Sequence, residues 1–276
     1  MLRAADLTFG YGDAPVVRGV SLEVPAGGFV GIIGPNGSGK TTVLRLLAGT
    51  RRPQQGFVHL DGVPISSLKR GEIARRMAVV PQETQLAFEY SVLEVVLMGR
   101  YPHLGAFEIE GPRDLDLARA ALASTGTLPF ETRPFSTLSG GEKQRVIIAA
   151  ALAQISGPPS NDSVASGSSR KTSILLLDEP TAALDLKYQL ETATLLRSLH
   201  QARSLSVVVS THDLNFAAAV CGTLVMLKDG RVLAAGPVDD VLTPARIRDL
   251  YEVDAEVARH ARTGHLTVTP ISPAHP

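Results

Sequence analysis

The sequence has a single cysteine, few aromatic residues, no net charge and no long apolar run. One cysteine, Cys221, excludes an internal disulfide and suits a reducing compartment. Equal numbers of basic and acidic residues, 27 of each, leave no electrostatic argument for a nucleic-acid partner. No segment approaches the roughly 20 apolar residues that cross a bilayer. Because Arg3 and Asp6 lie among the first residues, we also expect no signal peptide.

The composition that remains is typical of an α/β protein rich in alanine, valine and leucine. Apolar residues make up 44% of the chain and aromatic residues only 5%. A chain of 276 residues can bury a sizeable core in one domain with two lobes.

A glycine-rich string, GPNGSGKTT, runs from Gly34 to Thr42 and fits the pattern G-x-x-x-x-G-K-[ST] in full. Such a loop turns consecutive backbone N–H groups towards a triphosphate, because glycine tolerates positive φ and close approach. Lys40 is expected to reach the β- and γ-phosphates, and the Thr41 hydroxyl to ligate Mg²⁺. Alone, the motif predicts a nucleoside triphosphate site shared by kinases, GTPases and motors. The candidate nucleotide-binding residues here are Gly34, Pro35, Asn36, Gly37, Ser38, Gly39, Lys40, Thr41 and Thr42.

A second string, LSGGEKQR from Leu138 to Arg145, predicts a helix with an open N-terminus. Ser139 is a favoured N-cap, and Gly140 and Gly141 leave the N–H groups of the first turn unshielded. A helix terminus of this kind is suited to binding an anion. The alternative is a capped helix with an incidental Ser-Gly-Gly.

A third string, ILLLDEP from Ile174 to Pro180, predicts a buried strand that ends in two acidic residues. Open α/β sheets place their ligands at this end of the strands. Asp178 is expected to hold Mg²⁺, opposite Thr41, and Glu179 to polarise the attacking water as a general base. The alternative is that two adjacent acids simply end a strand.

The three strings in this order resemble ATP-binding-cassette (ABC) ATPases. The resemblance implies that Ser139 and its glycines close over the γ-phosphate held by a second subunit, so that a head-to-tail dimer encloses two ATP molecules. It also implies that Tyr11 in FGYG stacks on adenine and that Gln82 in VVPQE senses Mg²⁺ and the attacking water. Asp185 in AALD would lie in the loop at the dimer interface, and His212 in VVVSTHD would contact the γ-phosphate. The implied cofactors are ATP and Mg²⁺.

The predicted fold class is α/β, with the organisation of the ABC ATPase fold. A phosphate-loop NTPase core, mostly parallel sheet with flanking helices, carries an N-terminal antiparallel β subdomain and an inserted α-helical subdomain. We predict an ABC ATPase domain over 1–240, with the helical subdomain at about 83–153 and a flexible insertion at about 156–173. A C-terminal accessory segment of helix and strand, with a tail, is predicted over 241–276.

Local signals support these boundaries. Ser91 and Glu94 form a capping box that opens one helix, and Asp114 to Thr125 is predicted as another, ended by Gly126. The stretch after Ser156 is rich in serine, glycine and proline, which predicts a flexible surface loop. The alternative is a regulatory loop phosphorylated on one of its serines.

A narrower resemblance points to the importer subunits for iron–siderophore complexes, haem and cobalamin. It is carried by VVLMGRYPHLGAF from Val95 to Phe107, by VVSTHDLNFAAAVC from Val208 to Cys221, and by the segment from Lys228 to Asp254. The resemblance implies a transmembrane permease as partner, an extracytoplasmic or periplasmic solute-binding protein acting indirectly, and a peripheral location on the cytoplasmic face of the inner membrane. Arg100 and His103 are interpreted as contacting the permease, or alternatively as basic side chains capping a helix end.

Two other classes share the three strings. Soluble ABC ATPases act in DNA repair, chromosome structure and translation, and usually add coiled coils, zinc motifs or a second cassette. This chain has one phosphate loop, no heptad stretch and no cysteine cluster. The second class is the ABC exporters. The Gly99–His103 element and the Lys228–Asp254 segment favour import over export.

Overall fold

The computed structural model describes residues 1–12, 14–157, 173–182, 184–203 and 205–274, which divide into two compact units. Unit 1 comprises Met1–Ser67, Leu177–Glu179 and Ser206–Pro276, and unit 2 comprises Leu68–Leu176 and Pro180–Leu205. Most of the predicted flexible insertion, residues 158–172, lies outside the described residues.

The strands and helices are numbered in chain order. The strands are β1 (Leu2–Phe9), β2 (Val17–Val24), β3 (Phe29–Ile33), β4 (Gln55–Leu60), β5 (Val63–Pro64), β6 (Met77–Val80), β7 (Ile174–Asp178), β8 (Ser206–Thr211), β9 (Thr223–Lys228), β10 (Arg231–Pro237), β11 (Val253–Arg259) and β12 (Leu266–Pro273). The α-helices are α1 (Lys40–Leu47), α2 (Arg70–Ala74), α3 (Val92–Leu97), α4 (Pro112–Ser124), α5 (Gly140–Ile155), α6 (Leu186–Arg203), α7 (Leu214–Val220), α8 (Val238–Val241) and α9 (Pro244–Tyr251).

An antiparallel sheet at the N-terminus of unit 1 has the strand order β2-β1-β4-β5. Leu2 of β1 faces Val24 on one neighbour and Leu60 on the other, and all three side chains are buried. In β2, buried valines and leucine are separated by exposed residues, which is the pattern of a sheet with one covered face. The predicted antiparallel β subdomain is confirmed.

A mixed sheet forms the rest of the core of unit 1, in the order β10-β9-β3-β8, with the end of β7 beside β8. Every residue of β3 is buried, as expected for an apolar strand covered on both faces. β3 runs parallel to β8, with Ile33 facing Thr211, so both strands end at the same edge. The backbone N–H of Glu179, directly after β7, donates to the Ser210 carbonyl at 3.0 Å. The ends of β7 and β8 therefore meet where open α/β sheets bind ligands.

Helices in unit 1 follow these strand ends. The phosphate loop connects β3 to α1, and His212 and Asp213 connect β8 to α7. The Asp213 carboxylate caps α7 by accepting from the Phe216 N–H at 2.9 Å. After β9 and β10 the chain forms α8, α9 and the β11–β12 hairpin, in which Val257 faces Val268.

Unit 2 contains β6, the first residues of β7 and the helices α2 to α6. The predicted capping box of α3 is confirmed, because Ser91 accepts from the Glu94 N–H at 3.3 Å and donates its own N–H to the Glu94 carboxylate at 2.7 Å. Helix α4 begins at Pro112, two residues before the predicted start. Pro112 is favourable in the first helical turn, and the Asp114 carboxylate accepts the Gly111 N–H at 3.1 Å.

The Gly99–His103 element of unit 2 lies tightly against α5. A Cβ atom at Gly99 would be 2.3 Å from the Ala150 carbonyl oxygen, so only glycine fits there. The buried Arg100 guanidinium pairs with Asp114 at 2.9 Å and donates to the Ala153 carbonyl at 2.5 Å. His103 Nε2 bonds the Gln154 carbonyl at 2.6 Å. These two side chains cap the end of α5, as the second of our two interpretations expected.

In the part of the chain that the structure describes, we find no helix with the length and apolar character that a membrane span needs.

Candidate functional site

The phosphate loop has the backbone shape that its glycines predict. Gly37 and Gly39 have φ angles of 80° and 101°, in the region that L side chains rarely adopt. A Cβ atom at Gly34 would lie 2.2 Å from the Leu227 carbonyl oxygen, so the loop is pressed against β9. The loop leads into α1, whose first backbone N–H groups have no partner within the helix and are suited to binding an anion.

Lys40 lies inside this loop with only 5% of its side chain exposed. Its ammonium donates to the carbonyls of Gly34 at 2.9 Å and Pro35 at 3.1 Å, and pairs with the Glu179 carboxylate at 3.2 Å. The charge is therefore fixed in the centre of the cradle rather than extended into solvent. Among the residues that the structure describes, the buried Ser38 hydroxyl finds no hydrogen-bond partner, so it is available to a phosphate oxygen.

A hydroxyl–carboxylate cluster lies next to the loop, at the ends of β7 and β8. Thr41 Oγ1 donates to Asp178 Oδ1 at 3.0 Å, and Ser210 Oγ donates to the same oxygen at 2.5 Å. Hard oxygen atoms of this kind are the ligands that Mg²⁺ takes in proteins, usually one or two carboxylates together with substrate phosphates. The predicted pairing of Thr41 with Asp178 is therefore present, and its chemistry fits Mg²⁺.

Glu179 is the next residue and is held by several contacts. Its side chain is 9% exposed, and its φ angle of 47° is left-handed. The backbone N–H bonds Ser210, and one carboxylate oxygen accepts from His212 Nδ1 at 2.5 Å. His212 remains 51% exposed, so its ring reaches from the buried carboxylate to solvent. Glu179, His212 and Lys40 thus form one cluster at the mouth of the loop.

Tyr11 lies after β1, with its ring 55% exposed. Phe9 supports it edge-on at 5.1 Å, and the Arg51 guanidinium lies 5.8 Å from the ring centroid. Burial by itself would raise the pKa of the Tyr11 phenol, but hydrogen bonds from Thr42 and Arg45 and the two arginine charges outweigh it and lower this pKa. The fixed, accessible ring has the chemistry expected of a base-stacking residue.

The Ser139 segment in unit 2 forms a helix N-terminus as predicted. Ser139 caps α5 in a box with Glu142, whose carboxylate accepts the Ser139 N–H at 2.8 Å. That backbone hydrogen bond is the main reason why the pKa of Glu142 is lowered. A Cβ atom at Gly141 would come within 2.3 Å of the Tyr188 ring, which requires glycine at this position. Gly140 is exposed beside it, so the first turn of α5 is open to a ligand.

The other predicted site residues also lie in unit 2. Gln82 is exposed, two residues beyond the end of β6. Asp185 precedes α6, and its carboxylate accepts from the Tyr188 N–H at 3.2 Å. The structure thus gathers Lys40, Thr41, Asp178, Glu179 and His212 within unit 1, while Gln82, Ser139 and Asp185 belong to unit 2.

Three further residues contact the cluster or lie close to His212 along the chain, and the sequence did not predict them. Ser210 bonds both Asp178 and the Glu179 N–H. Tyr251, at the end of α9, donates its phenol to the His212 carbonyl at 3.5 Å. Asn215 is paired with β12 through its side-chain amide. Ser210 carried a detectable signal, a polar residue in the buried strand two positions before His212, whereas Tyr251 is brought in from far along the chain.

The fold and the site together define a class. The phosphate loop connects a buried strand to a helix, Thr41 is paired with Asp178, and Glu179 is paired with Lys40. These features define a phosphate-loop ATPase. The ABC transporter family model matches residues 17–157, half of the chain, and the chain belongs to that family.

Curated relatives match over nearly the whole chain. The hemin import ATP-binding protein HmuV of Gloeobacter violaceus is 42% identical over 275 residues, covering 99% of this chain and 95% of that protein. The iron(3+)-hydroxamate import ATP-binding protein FhuC of Bacillus subtilis is 36% identical over 95% of this chain and 91% of its own length. The cobalamin import ATP-binding protein BtuD of Halobacterium salinarum is 39% identical over 93% of this chain, which spans 60% of that longer relative.

Solved structures show the same fold. A putative metal-chelate type ABC transporter, in an inward-facing conformation, aligns with a TM-score of 0.81 at 29% identity, covering 98% of this chain and 96% of that one. The ATP-binding cassette MJ0796, solved as a dimer in a post-hydrolysis state with ADP and Pi, aligns with a TM-score of 0.69 at 30% identity, covering 86% and 99%. The expected ABC ATPase fold and ATPase activity are confirmed.

Proposed function

We propose that this chain is the ATP-hydrolysing subunit of an importer for metal chelates such as haem, ferric siderophores or cobalamin. The observation that carries the proposal is the match over 99% of the chain, at 42% identity, to a hemin import ATP-binding protein. Relatives named for iron–hydroxamate and cobalamin import match with similar coverage of this chain. The three named solutes share one chemistry, a metal held by a large organic chelator.

The cluster in unit 1 supports the following roles. The phosphate loop and Lys40 bind the β- and γ-phosphates of ATP, and Tyr11 stacks on adenine. Thr41 and Asp178 would hold Mg²⁺, and the ion would neutralise phosphate charge when bound; Gln82 is the third residue that we assign to this ion. Lys40 exchanges its present contacts with carbonyls for phosphate oxygens, which are better partners for a buried ammonium.

Glu179 acts as the general base for hydrolysis. Its carboxylate takes a proton from water as the water oxygen attacks the γ-phosphorus, and the bond to the β,γ-bridging oxygen breaks to release ADP and phosphate. His212 holds this carboxylate through its 2.5 Å contact, and its exposed ring is free to reach the γ-phosphate. Such a base typically contributes about 10²–10⁴-fold in rate.

The second copy of the subunit completes each site. Ser139, Gly140 and Gly141 present the open N-terminus of α5 to the γ-phosphate bound by the neighbouring copy, and Asp185 lies at the same interface. The capping box of Ser139 and Glu142 fixes the helix terminus that faces the anion. A solved relative, the cassette MJ0796, is a dimer.

A transmembrane permease is the partner in the membrane, which places the subunit peripherally on the cytoplasmic face. Three large apolar side chains between β6 and α4 are exposed: Phe88 at 74%, Phe107 at 106% and Ile109 at 82%. Exposed apolar groups of this size are typical of protein interaction surfaces. The extracytoplasmic solute-binding protein delivers the chelate to the permease and acts on this chain only indirectly.

Transport by the assembled complex tests the proposal. The chain would be purified with transmembrane subunits from its own organism and reconstituted in liposomes, with hemin, a ferric hydroxamate and cobalamin offered in turn with solute-binding protein. We expect one of the three chelates to stimulate ATP hydrolysis. The same chelate should accumulate on the side of the membrane to which this subunit is bound. Copurification with ribosomes or DNA without membrane association would instead support a soluble ABC ATPase, and movement of solute in the opposite direction an exporter.

The exposed apolar residues give a second test. Changing Phe107 and Ile109 to serine should leave ATP hydrolysis by the isolated subunit unchanged and weaken copurification with the permease. The control is Val63→Ser, which removes a 43% exposed apolar side chain from unit 1. Equal permease binding by all three proteins would contradict this docking surface.

A further inference from the structure

The C-terminal elements of unit 1 contact the loop that carries His212. These elements, which we call the C-terminal brace, are α9 and the hairpin of β11 and β12, residues 244–273. The C-terminal brace contains neither the phosphate loop nor any of the site residues predicted from the sequence. The brace is nevertheless attached to the loop between β8 and α7 at two separate points.

Tyr251 makes the first attachment. Its phenol donates to the His212 carbonyl at 3.5 Å. This contact joins the end of α9 to the residue directly after β8, at the edge of the sheet where we propose that the nucleotide binds.

Asn215 makes the second attachment, in the first turn of α7. Its side-chain nitrogen donates to the Val268 carbonyl at 3.2 Å, and its side-chain oxygen accepts the Val268 N–H at 2.7 Å. The Asn215 carboxamide thus bonds both the N–H and the C=O of Val268, as the backbone of an adjacent β-strand would. Such a two-point contact fixes the orientation of both partners, and it ties β12 to the residue three positions after His212.

The brace is itself anchored in the core. Ile247 and Leu250 of α9 are fully buried. The Lys228 ammonium, at the end of β9, donates to the Asp249 carbonyl at 2.6 Å and to the Glu252 carboxylate at 3.1 Å. The attachment points therefore extend from a fixed support rather than from a free chain end.

The raised pKa of Tyr251 agrees with its role as a hydrogen-bond donor. Burial raises the pKa of Tyr251, and the carboxylates of Glu179 and Asp213 raise it further, against the lowering effect of the Gly34 hydrogen bond. The hydroxyl is thus protonated and available to the His212 carbonyl.

We propose that Tyr251 and Asn215 are positioning residues through which the C-terminal brace holds His212 against Glu179. The inference rests on the proposed roles of these two residues in hydrolysis. His212 is held from both sides, because its ring meets the Glu179 carboxylate at 2.5 Å and its carbonyl meets Tyr251. Without the brace the backbone of the loop is freer, and the ring spends less time on the carboxylate that activates water.

The test compares Tyr251→Phe and Asn215→Ala with Thr267→Val in the full chain. Thr267→Val is the matched control, since it also removes a hydroxyl–carbonyl bond of the brace, to Ala258 at 3.1 Å, but none to the loop. We expect kcat for ATP to fall about threefold to tenfold in Tyr251→Phe, which loses one hydrogen bond, and at least as much in Asn215→Ala, which loses two, with KM nearly unchanged in both. Amide hydrogen exchange over residues 212–216 should become faster in both variants and stay at the parent rate in the control.

The outcomes separate this inference from the proposed function. If Glu179→Gln is inactive while Tyr251→Phe keeps the parent kcat and exchange rates, the brace has no positioning role and the hydrolysis roles stand. If Glu179→Gln hydrolyses ATP at the parent rate, the proposed roles are wrong. An equal loss of kcat in Thr267→Val would show a general effect on the fold and overturn the inference. Because Tyr251→Phe keeps the ring, it remains informative even if Asn215→Ala fails to fold.

Discussion

Glu179 adopts a backbone conformation that L-residues seldom adopt. Its φ angle of 47° costs on the order of 1–3 kcal/mol in such a residue. The structure compensates through the N–H contacts with Ser210 and the side-chain contacts with Lys40 and His212. Because of this left-handed turn, the carboxylate of Glu179 contacts Lys40 of the phosphate loop, while the carboxylate of the preceding residue, Asp178, contacts Thr41. Two adjacent acids can therefore serve one site, although neighbours in a strand normally point to opposite faces.

At this scale we predict that Glu179→Gln separates binding from hydrolysis. The amide keeps the size of the side chain but cannot take the proton of the water, so kcat should fall by about 10²–10⁴-fold. Binding of Mg-ATP, measured with a fluorescent nucleotide, should remain, and the ATP-bound dimer should accumulate on size exclusion.

The control for this prediction is Glu23→Gln, which removes another carboxylate that is paired with a cation. Glu23 is 58% exposed and pairs with Arg3 at 3.1 Å on the first sheet. Its hydrolysis should equal that of the parent. Near-parent turnover by Glu179→Gln would show that another group activates the water.

Single residues also show how much of the site is predictable from the sequence. Lys40 and Thr41 were predictable because their spacing from the glycines is local, and the structure places them beside Glu179 and Asp178. Tyr251 was not, since its contact with His212 joins positions 39 residues apart, and no pattern along the chain marks such a pair. Local rules describe turns and caps, whereas contacts of this kind depend on the packing of whole elements.

At the scale of elements, helix α5 is capped at both ends by side chains. Ser139 and Glu142 satisfy its first turn, and Arg100 and His103 bond the carbonyls of its last turn. The sequence predicted the N-terminal cap from a pattern four residues long. It left two interpretations for Arg100 and His103, because the carbonyls that they bond lie about 50 positions further along the chain.

We predict that Arg100→Met destabilises the protein much more than Arg119→Met. Both arginines pair with a carboxylate at 2.9 Å, Arg100 with Asp114 and Arg119 with Glu131, but their side chains are 3% and 48% exposed. Breaking a buried pair leaves a charge without its partner and should cost about 3 kcal/mol in the free energy of unfolding. Urea denaturation of both variants measures the difference. Equal effects would show that burial of the guanidinium is unimportant.

His103 predicts a loss of stability in mild acid. Its pKa lies below the ordinary 6.5, mainly because of burial and also because of the charges of Arg100 and Arg75, although the Gln154 carbonyl acts in the opposite direction. Since the folded state disfavours the charged ring, the contribution is complete above about pH 6.5 and is lost as the pH falls through the folded pKa. In His103→Gln this part of the pH dependence should be absent. If the free energy of unfolding changes in the same way with pH for parent and variant between pH 7 and 5, this prediction is wrong.

At the scale of the whole molecule, the residues proposed for one reaction are divided between two units. Lys40, Asp178, Glu179 and His212 belong to unit 1, whereas Ser139 belongs to unit 2. In a head-to-tail dimer, the phosphate loop of one copy works with the Ser139 helix terminus of the other. Two-fold symmetry then creates two equivalent sites from two copies of the same chain.

This arrangement predicts complementation between two inactive variants. Lys40→Ala removes the buried ammonium from the phosphate loop, and Ser139→Arg fills the helix terminus with a long side chain. In a mixed dimer, the intact loop of the Ser139→Arg copy meets the intact helix of the Lys40→Ala copy, while the second site carries both defects. If copies pair at random, half of the dimers in an equal mixture have one working site, so hydrolysis should recover to about a quarter of the parent rate.

The comparison that decides this prediction mixes Lys40→Ala with a chain that carries both changes. Every phosphate loop in that mixture lacks its lysine, so no pairing restores a site, and hydrolysis should stay at the level of either variant alone. Recovery in the first mixture and none in the second requires that the helix terminus of one copy acts on the nucleotide of the other. No recovery in either, with mixed dimers demonstrated by differently tagged subunits, would mean that each copy supplies its own Ser139 to its own ATP, and the head-to-tail dimer would be wrong.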